Sequence, residues 1–371
     1  MFYERKYQII DSHMHICGYN KGDLPGILKG IREIKERAGL AAINVAALPG
    51  GGPDRASQNA LCILFKALYP DSYAYAGIEH FIPGIDRSPE GRREQLEQYM
   101  EMGFDGVKLI DGKPTARKLI GHGLNTPGYA EFFDYAEKHA IPILWHVADP
   151  EENWDPALCS QDVIDSGWSY TDGSFLSKEA LMRETEDVLE AHPNLNVVFA
   201  HLYFMSADIK AAGAFMRRFP NVKLDVTPGI EMYYNFDKQR VPWFYFFSEY
   251  QNRILLGTDN GWGDHESPAQ KVADGCRHIL FLDAFFTTKD VISTWDARQI
   301  RGLELPGNVW ESMCYNNFME MQGGNPPKKV NIKMAADYIR DVYERMKRSA
   351  NLPETTIYLA WYAMQLINEL L

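Results

Sequence analysis

The sequence predicts an α/β protein with a closed (β/α)8 TIM barrel, and two observations support this prediction. Short apolar runs, typical of buried strands, alternate with longer amphipathic runs along most of the 371 residues. Alternation of this kind indicates a parallel sheet, and eight repeats of it indicate a closed barrel. Residue types that bind metals also follow the ends of several of these strands, which is the face where such barrels carry their active sites.

Each predicted strand is a short apolar run bounded by polar or turn-forming residues. The eight strands are residues 8–12, 42–47, 73–78, 106–110, 141–146, 196–200, 222–226 and 253–257. The helices follow from apolar residues at helical spacing and from stop signals such as Gly103 and Pro193. They are residues 24–38, 54–68, 87–102, 129–139, 178–191, 206–219, 243–250 and 268–282.

Two segments exceed a minimal barrel. The barrel is predicted to span residues 1–322, with an insertion at about 149–177, after the fifth strand, that is rich in Trp, Asp, Pro and Gly. This insertion is too long for a simple connection and is predicted to be a lid. A Gly-Gly-Asn-Pro-Pro run then opens a C-terminal extension, residues 323–371, with helical patterns at 334–350 and 355–371. The extension is predicted to pack on the barrel or to form a subunit interface, and we expect a homo-oligomer, a dimer.

The composition limits the partners. The formal net charge is −12 and no run is rich in Lys and Arg, which argues against nucleic acid or an anionic membrane as a partner. No apolar run reaches 18 residues, so no membrane span is expected. Five scattered cysteines without a CxxC pair, and no apolar signal stretch at the N-terminus, predict a cytoplasmic protein. A small-molecule substrate remains open.

The most specific motif is Asp-Ser-His-Met-His at residues 11–15, at the end of the first strand. His13 and His15 are two residues apart, so on a strand they point to the same side. Later strands end in His146, His201 and Asp259. Such a set suits a divalent transition metal that activates water. Histidines that merely pack in the core would not all follow strand ends.

These residues resemble the amidohydrolase superfamily, and within it the amidohydrolase 2 group of aminocarboxymuconate-semialdehyde decarboxylase-like metal-dependent hydrolases. The resemblance spans roughly residues 8–320 and includes further stretches at 99–109, 136–146, 192–202, 219–225 and 254–259. The insertion and the extra C-terminal helices depart from the shortest members of the group.

The resemblance implies that His13, His15 and His146 bind the metal. It implies that Asp259 is a fourth ligand or lies beside the activated water, handling its proton. His201 would orient or deprotonate that water, or would bind a second metal as in binuclear relatives. The implied cofactor is one divalent transition metal, with Zn preferred and Mn, Fe and Co as alternatives.

Lys108 ends the fourth strand and is open to two interpretations. In binuclear members of the superfamily a lysine here is carboxylated and bridges two metals. The interpretation that we favour is an uncarboxylated Lys108 that binds an anionic substrate. Glu79 and His80 follow the third strand and could line the same pocket.

Three functions are compatible with these residues. The favoured one is metal-dependent hydrolysis of a small-molecule amide, lactone or ester, including carboxylate-bearing ones. The alternative is a lyase on the same scaffold, a metal-dependent non-oxidative decarboxylase or hydratase of an unsaturated or aromatic acid. The third is a barrel that binds a ligand without turnover.

Overall fold

A computed structural model describes residues 7–16, 23–261 and 267–371. Its main sheet has eight parallel strands in chain order, so the (β/α)8 fold class is confirmed. The strands are β1 (Ile10–Met14), β2 (Ala42–Ala46), β3 (Tyr73–Gly77), β4 (Gly106–Gly112), β5 (Ile143–Val147), β6 (Val197–Phe199), β7 (Lys223–Asp225) and β8 (Ile254–Leu255). Each of them overlaps its predicted counterpart.

The barrel closes between β1 and the residues that follow β8. Backbone hydrogen bonds join Ser12 N to Leu256 O at 3.1 Å and Asp259 N to His13 O at 2.8 Å. A further bond joins His15 N to Asn260 O at 2.8 Å. These bonds bring the two histidines of the first strand next to the aspartate that follows the last one.

Side chains that point into the barrel form a separate apolar cluster. Ile10, Tyr75, Leu144, Val198 and Leu255 contribute to it from five different strands and are at most 3% exposed. The opposite faces of the strands pack against the surrounding helices in the main core. Most residues of the strands are therefore apolar, because both faces of the strands are covered.

The helices in chain order are α1 (Leu24–Arg37), α2 (Gln58–Leu68), α3 (Pro89–Met102), α4 (Pro114–Ile120), α5 (Ala130–Lys138), α6 (Gln161–Asp165), α7 (Lys178–Ala191), α8 (Ile209–Arg218), α9 (Ile230–Lys238), α10 (Arg240–Glu249), α11 (Pro268–Thr287), α12 (Gly307–Glu311), α13 (Asn317–Met321), α14 (Ile332–Met346) and α15 (Glu354–Asn368). A short hairpin of β9 (Val291–Ser293) and β10 (Gln299–Arg301) follows α11. Among the described residues, no helix is both long and apolar enough to cross a bilayer.

The connection between β7 and β8 differs from the prediction. Two helices, α9 and α10, lie where the sequence predicted only residues 243–250. They meet at Gln239, whose φ of −128° and ψ of 47° are not helical. Gln239 thus ends α9 and precedes α10, and the helical periodicity is interrupted between them.

The insertion at 149–177 contains a 3-10 turn, Glu151–Trp154, and the short helix α6. Tyr170, which is 2% exposed, is its most buried aromatic residue, and its backbone N donates to Asn153 O at 2.8 Å. Lysines next to and within α4 contact it: Lys118 Nζ bonds Ser174 Oγ at 2.6 Å, and Lys113 Nζ lies 4.6 Å from the centre of the Trp168 ring. The insertion is thus held against the loop that follows β4.

The C-terminal extension packs on the barrel through α14 and α15. Ile339, Met346 and Ile367 are completely buried in the main core. Thr356 Oγ1 donates to Asp54 O at 2.8 Å, which ties α15 to the segment before α2. On the outer side of α15, Trp361 is 37% exposed. The expected dimer and the domain division stay predictions.

Candidate active site

β1 supplies two imidazoles whose ε nitrogens face one point. The Nε2 atoms of His13 and His15 are 3.1 Å apart. His13 Nδ1 lies 2.9 Å from Asp225 Oδ2 and 3.1 Å from Thr227 Oγ1, and His15 Nδ1 lies 2.6 Å from Ala46 O. A carbonyl or an ionised carboxylate only accepts, so each Nδ1 carries the proton. Both Nε2 atoms therefore present lone pairs, the arrangement that partners of metal-bound histidines impose.

Asp259 brings a carboxylate to the same point. Its Oδ1 lies 3.0 Å from His15 Nε2 and 3.6 Å from His13 Nε2. The three side chains offer one ligand atom each, all within 4.8 Å of one another. Two imidazole lone pairs and a carboxylate at this spacing repel one another without a cation between them, and they are typical donors for a divalent transition metal. The residues therefore fit the metal that the sequence predicts.

His201 stands beside this group at the end of β6. Its backbone N donates to Asp225 Oδ1 at 2.7 Å, and its Nδ1 lies 3.1 Å from Thr227 O. Because the Thr227 carbonyl only accepts, the proton of His201 is on Nδ1. Its Nε2 lies 3.9 Å from Asp259 Oδ2. His201 thus presents the lone pair of its Nε2 beside the Asp259 carboxylate.

The backbone at His201 is unusual. Residues 201–204 all have positive φ, between 51° and 55°, and none of them is glycine. A left-handed residue costs roughly 1–2 kcal/mol in an L-amino acid, so this turn is a strained segment that its contacts must hold. Asp225, which accepts from the His201 backbone, is one of those contacts.

His146 lies next to this group but does not direct its ε nitrogen toward it. Its Nε2 is 3.0 Å from Ala148 O and 3.2 Å from Asp149 Oδ1. Its ring centre is 4.9 Å from that of His201. Metal binding by His146 would thus use Nδ1 or would require the ring to turn, and its role as a ligand stays a prediction.

The side-chain amino group of Lys108 lies in the middle of the site, and the residue is 1% exposed. Its Nζ lies 2.9 Å from His13 Nε2. Burial lowers the pKa of Lys108 to about 8, although Asp259 and Asp225 act in the opposite direction. The structure thus places a buried amine against the predicted ligands, in agreement with either interpretation of this lysine.

The electrostatics favour the protonation states that a metal requires. Burial and, to a smaller extent, Lys108 lower the pKa of His13 to about 3, so its imidazole is neutral. Burial would raise the pKa of Asp259, but the surrounding imidazoles of His15, His13 and His201 hold that pKa well below its ordinary value. A neutral imidazole and an ionised carboxylate are therefore present together at neutral pH.

Asp225 and Thr227 are site residues to which the sequence analysis gave no role. The signal for Asp225 was present, because it ends the seventh strand inside the stretch 219–225 that resembles the family. Asp11, the first residue of the motif, connects β1 with the segment after β8. Its Oδ2 accepts from Thr258 Oγ1 at 2.6 Å and its Oδ1 accepts from Thr258 N at 3.0 Å, which joins the ends of β1 and β8.

Glu79 and His80, which lie in the loop after β3, contact different parts of the structure. His80 Nε2 lies 2.6 Å from Asp111 Oδ1, and both side chains are buried. Glu79 instead contacts Asn59 of α2 and Tyr338 of α14, at 2.7 Å and 3.2 Å. Glu79 therefore faces the outer helices and not the metal-ligand group.

A family model described as amidohydrolase matches residues 10–272, which is more than half of the chain. The chain belongs to the amidohydrolase family. This amidohydrolase is therefore an enzyme of the superfamily that the sequence resembles, in which both hydrolases and decarboxylases occur. A search of curated proteins gives no significant match.

Solved structures support the same fold. A TIM-barrel protein from Bordetella bronchiseptica has a TM-score of 0.51 and 15% identity, over 86% of this chain and 100% of its own. A 2,6-dihydroxybenzoate decarboxylase with 2,6-dihydroxybenzoate bound has a TM-score of 0.50 and 14% identity, over 85% and 99%. A 5-carboxyvanillate decarboxylase from Sphingomonas paucimobilis has a TM-score of 0.50 and 11% identity, also over 85% and 99%. At these identities the likeness concerns the fold alone.

Proposed function

We propose that this amidohydrolase hydrolyses a small-molecule amide, lactone or ester with one divalent transition metal. The observation that carries the proposal is the meeting of His13 Nε2, His15 Nε2 and the Asp259 carboxylate within 4.8 Å. Lys108 of β4 and His201, which follows β6, lie against this group.

The proposed ligands are His13, His15 and Asp259, with His146 as a further one. A metal held there would supply Lewis-acid activation of water and polarise the carbonyl of the substrate. Mixed imidazole and carboxylate donors suit Zn, which we prefer, and also Mn, Fe or Co.

The protein residues would handle protons and bind the substrate. The ionised Asp259 can accept a proton at Oδ2 and later pass it to the leaving group, and His201 faces this oxygen at 3.9 Å. Lys108 in its ammonium form would bind an anionic group of the substrate. The insertion at 149–177, as a lid, would exclude bulk water.

Metal content tests the proposal directly. Elemental mass spectrometry should find about one equivalent of transition metal in the wild type and little in His13→Ala, because the latter loses a donor. The exposed His139 provides the matched control His139→Ala, which should keep the metal. About two equivalents would favour a carboxylated Lys108 bridge with His201 as a ligand. No metal after reconstitution would reject the proposal.

Catalysis is tested on amide, lactone and ester panels. Asp259→Asn keeps the size of the side chain but cannot accept the proton, so kcat should fall by about 10²–10⁴-fold. Chelation should abolish activity in the wild type. An active enzyme that neither chelation nor Asp259→Asn affects would require another mechanism.

The alternative is a metal-dependent non-oxidative decarboxylase or hydratase. The buried Lys108 favours an acid as the substrate, because its Nζ lies 2.9 Å from His13 Nε2 and could bind a carboxylate held at the metal-ligand group. Release of carbon dioxide from 2,6-dihydroxybenzoate and 5-carboxyvanillate, and hydration of unsaturated acids, would identify such a lyase. A barrel that binds metal but turns over none of these compounds would be a binding protein.

A further inference from the structure

A cavity that is separate from the candidate active site lies on the outside of the barrel, between the loop after β3, helix α3 and helix α14 of the C-terminal extension. Its volume is about 510 Å³. Glu79, Gln95 and Tyr99 line it from the barrel, and Tyr338 and Arg345 line it from α14. None of the described metal-ligand residues belongs to its wall.

Glu79 is the unusual residue of this cavity. It is 1% exposed, and its Oε1 accepts from Asn59 Nδ2 at 2.7 Å and from Tyr338 OH at 3.2 Å. Its second oxygen, Oε2, is buried and has no hydrogen-bond partner among the described residues. Burial raises the pKa of Glu79 to about 8, and no cation opposes this effect. Glu79 is thus a buried acid without a counter-ion, which keeps its proton at neutral pH and whose ionised form needs a cation beside it.

The other charges of the wall are paired or exposed. Arg345 Nε lies 2.7 Å from Asp341 Oδ2, and Asp337 Oδ1 accepts from Arg340 NH1 at 2.9 Å. Lys333 lines the cavity too, but it is solvent-exposed and forms no ion pair with Glu79 in the described part of the chain. Glu79 is therefore the buried ionisable residue of this wall that has no ion-pair partner in the described part of the chain.

Aromatic rings stand beside this carboxyl group. The rings of Tyr99 and Tyr338 are 6.1 Å apart and nearly perpendicular, at 85°. The faces of tyrosine rings attract cations, and their carbon atoms pack against methylene groups. A divalent metal fits less well, because calcium or magnesium needs six or more oxygen ligands and this wall offers one buried carboxylate.

We propose that this cavity binds a small organic ammonium ion, with Glu79 as its counter-ion and the Tyr99 and Tyr338 rings against its carbon chain. The ammonium group would neutralise the ionised Glu79 and donate to it. Helix α14 lies beyond residues 10–272, the part of the chain that matches the family, so the site depends on the extension of this chain.

Calorimetric titration of the full-length protein with n-butylammonium chloride tests this site. We expect saturable binding that is at least about tenfold weaker in Glu79→Gln, because a hydrogen-bonded ion pair is lost. Asp337→Asn removes a carboxylate of the same wall that Arg340 already pairs, and it should bind as the wild type does. The neutral analogue 1-butanol, which has the same four-carbon chain, should bind at least about tenfold more weakly than the amine.

A second measurement uses the wild type alone. Nuclear Overhauser effects should connect the methylene protons of n-butylammonium with tyrosine ring protons, and Tyr338→Phe should change that pattern. Glu79→Gln should keep the wild-type metal content, which separates this test from that of the metal site. No saturable binding by the wild type, or equal affinity in Glu79→Gln, would overturn the proposal.

Discussion

Asp225 connects more of the candidate active site than any of the predicted ligands does. One of its oxygens holds His13 Nδ1, and the other accepts from the backbone N of both His201 and Thr227. Burial would raise its pKa, but the hydrogen bond with His13 and the nearby His201 and Lys108 keep that pKa below its ordinary value. An ionised Asp225 thus fixes the tautomer of one histidine and the position of another.

Asp225→Asn should therefore weaken metal binding although Asp225 is not among the proposed ligands. The amide offers one acceptor where the carboxylate offers two, so His13 or the backbone of His201 loses a partner. Loss of such a partner typically costs about 10–100-fold in metal affinity. Competition with a chromophoric chelator measures this affinity.

The control for this variant is Asp105→Asn. Asp105 is another buried carboxylate, bonded to Lys66 and to the backbone N of Ala74. Its replacement should lower the melting temperature without changing metal affinity. Equal affinities in Asp225→Asn and the wild type would show that Asp225 does not orient the site.

Glu79 makes the stability of the protein depend on pH. Its pKa is about 8 in the folded state, whereas the ordinary value of 4.5 applies to the unfolded chain. Between these values the folded state holds a proton that the unfolded state has lost, so the free energy of unfolding falls as pH rises from about 5 to 8. The Glu79→Gln variant has no proton to lose at this position. Its free energy of unfolding, relative to that of the wild type, should therefore increase from pH 5 to pH 8.

This difference in the free energy of unfolding should reach a few kcal/mol at most by pH 8, which is the order of magnitude that the pKa shift of Glu79 implies. Urea denaturation of both proteins at pH 5, 6.5 and 8 measures it. Asp337→Asn, on the same wall, should follow the wild type at each pH. Parallel curves for Glu79→Gln and the wild type would mean that Glu79 is ionised throughout.

At the scale of elements, the ends of the strands depart from regular structure where the site is built. Ala148 after β5, residues 201–204 after β6 and Asp259 after β8 all have positive φ. None of these positions is glycine, and although His and Asp adopt a left-handed backbone more often than most residues, Ala148 and residues 202–204 give no such indication. The conformation depends on partners far along the chain, such as Asp225 for His201, which periodicity cannot show.

The same distinction explains which features of the candidate site the sequence could indicate. The ends of strands can be predicted from local apolar runs. The sequence therefore predicted that His13, His15 and Asp259 share one face of the barrel, and the structure places these three side chains together. The direction of a ring does not follow from local pattern. His146 ends its strand as predicted, yet its Nε2 lies beside Asp149, because the start of the insertion places a carboxylate there.

Lys113 connects the insertion to the barrel. Its Nζ bonds both oxygens of Asp149, at 2.6 Å and 2.7 Å, and Asp149 also accepts from Tyr170 OH. Lys113→Met would leave a buried carboxylate without its cation, which costs on the order of 3–5 kcal/mol when the partners are deeply buried. We expect faster proteolysis within residues 150–176 and a higher KM.

Lys118→Met is the matched control, since Lys118 also contacts the insertion but through the exposed Ser174. It should change the cleavage rate much less. Limited proteolysis followed by mass spectrometry locates the cuts. Equal protection in Lys113→Met and the wild type would show that other contacts hold the insertion in place.

At the scale of the whole molecule, the C-terminal extension belongs to the core rather than to an independent unit. Large side chains of α14 and α15 that are at most 8% exposed include Tyr338, Ile339, Val342, Met346 and Ile367. Burial of a large aliphatic side chain contributes about 1.5–3 kcal/mol before the entropy of ordering it is subtracted, which matters in a domain whose net stability is about 5–15 kcal/mol. The barrel of this chain should therefore not fold without them.

Deletion of residues 324–371 tests this conclusion. We expect an insoluble or uncooperatively unfolding protein, because α2 and α3 would expose the apolar faces that α14 and α15 cover. Deletion of residues 369–371 alone, which are solvent-exposed, should leave the melting temperature within a few degrees of that of the full chain, since surface changes are usually worth less than about 0.5 kcal/mol. Circular dichroism during heating compares the two. A longer deletion that stays soluble, unfolds cooperatively and binds metal would make residues 1–323 the folding unit and would leave the extension free for an oligomeric contact.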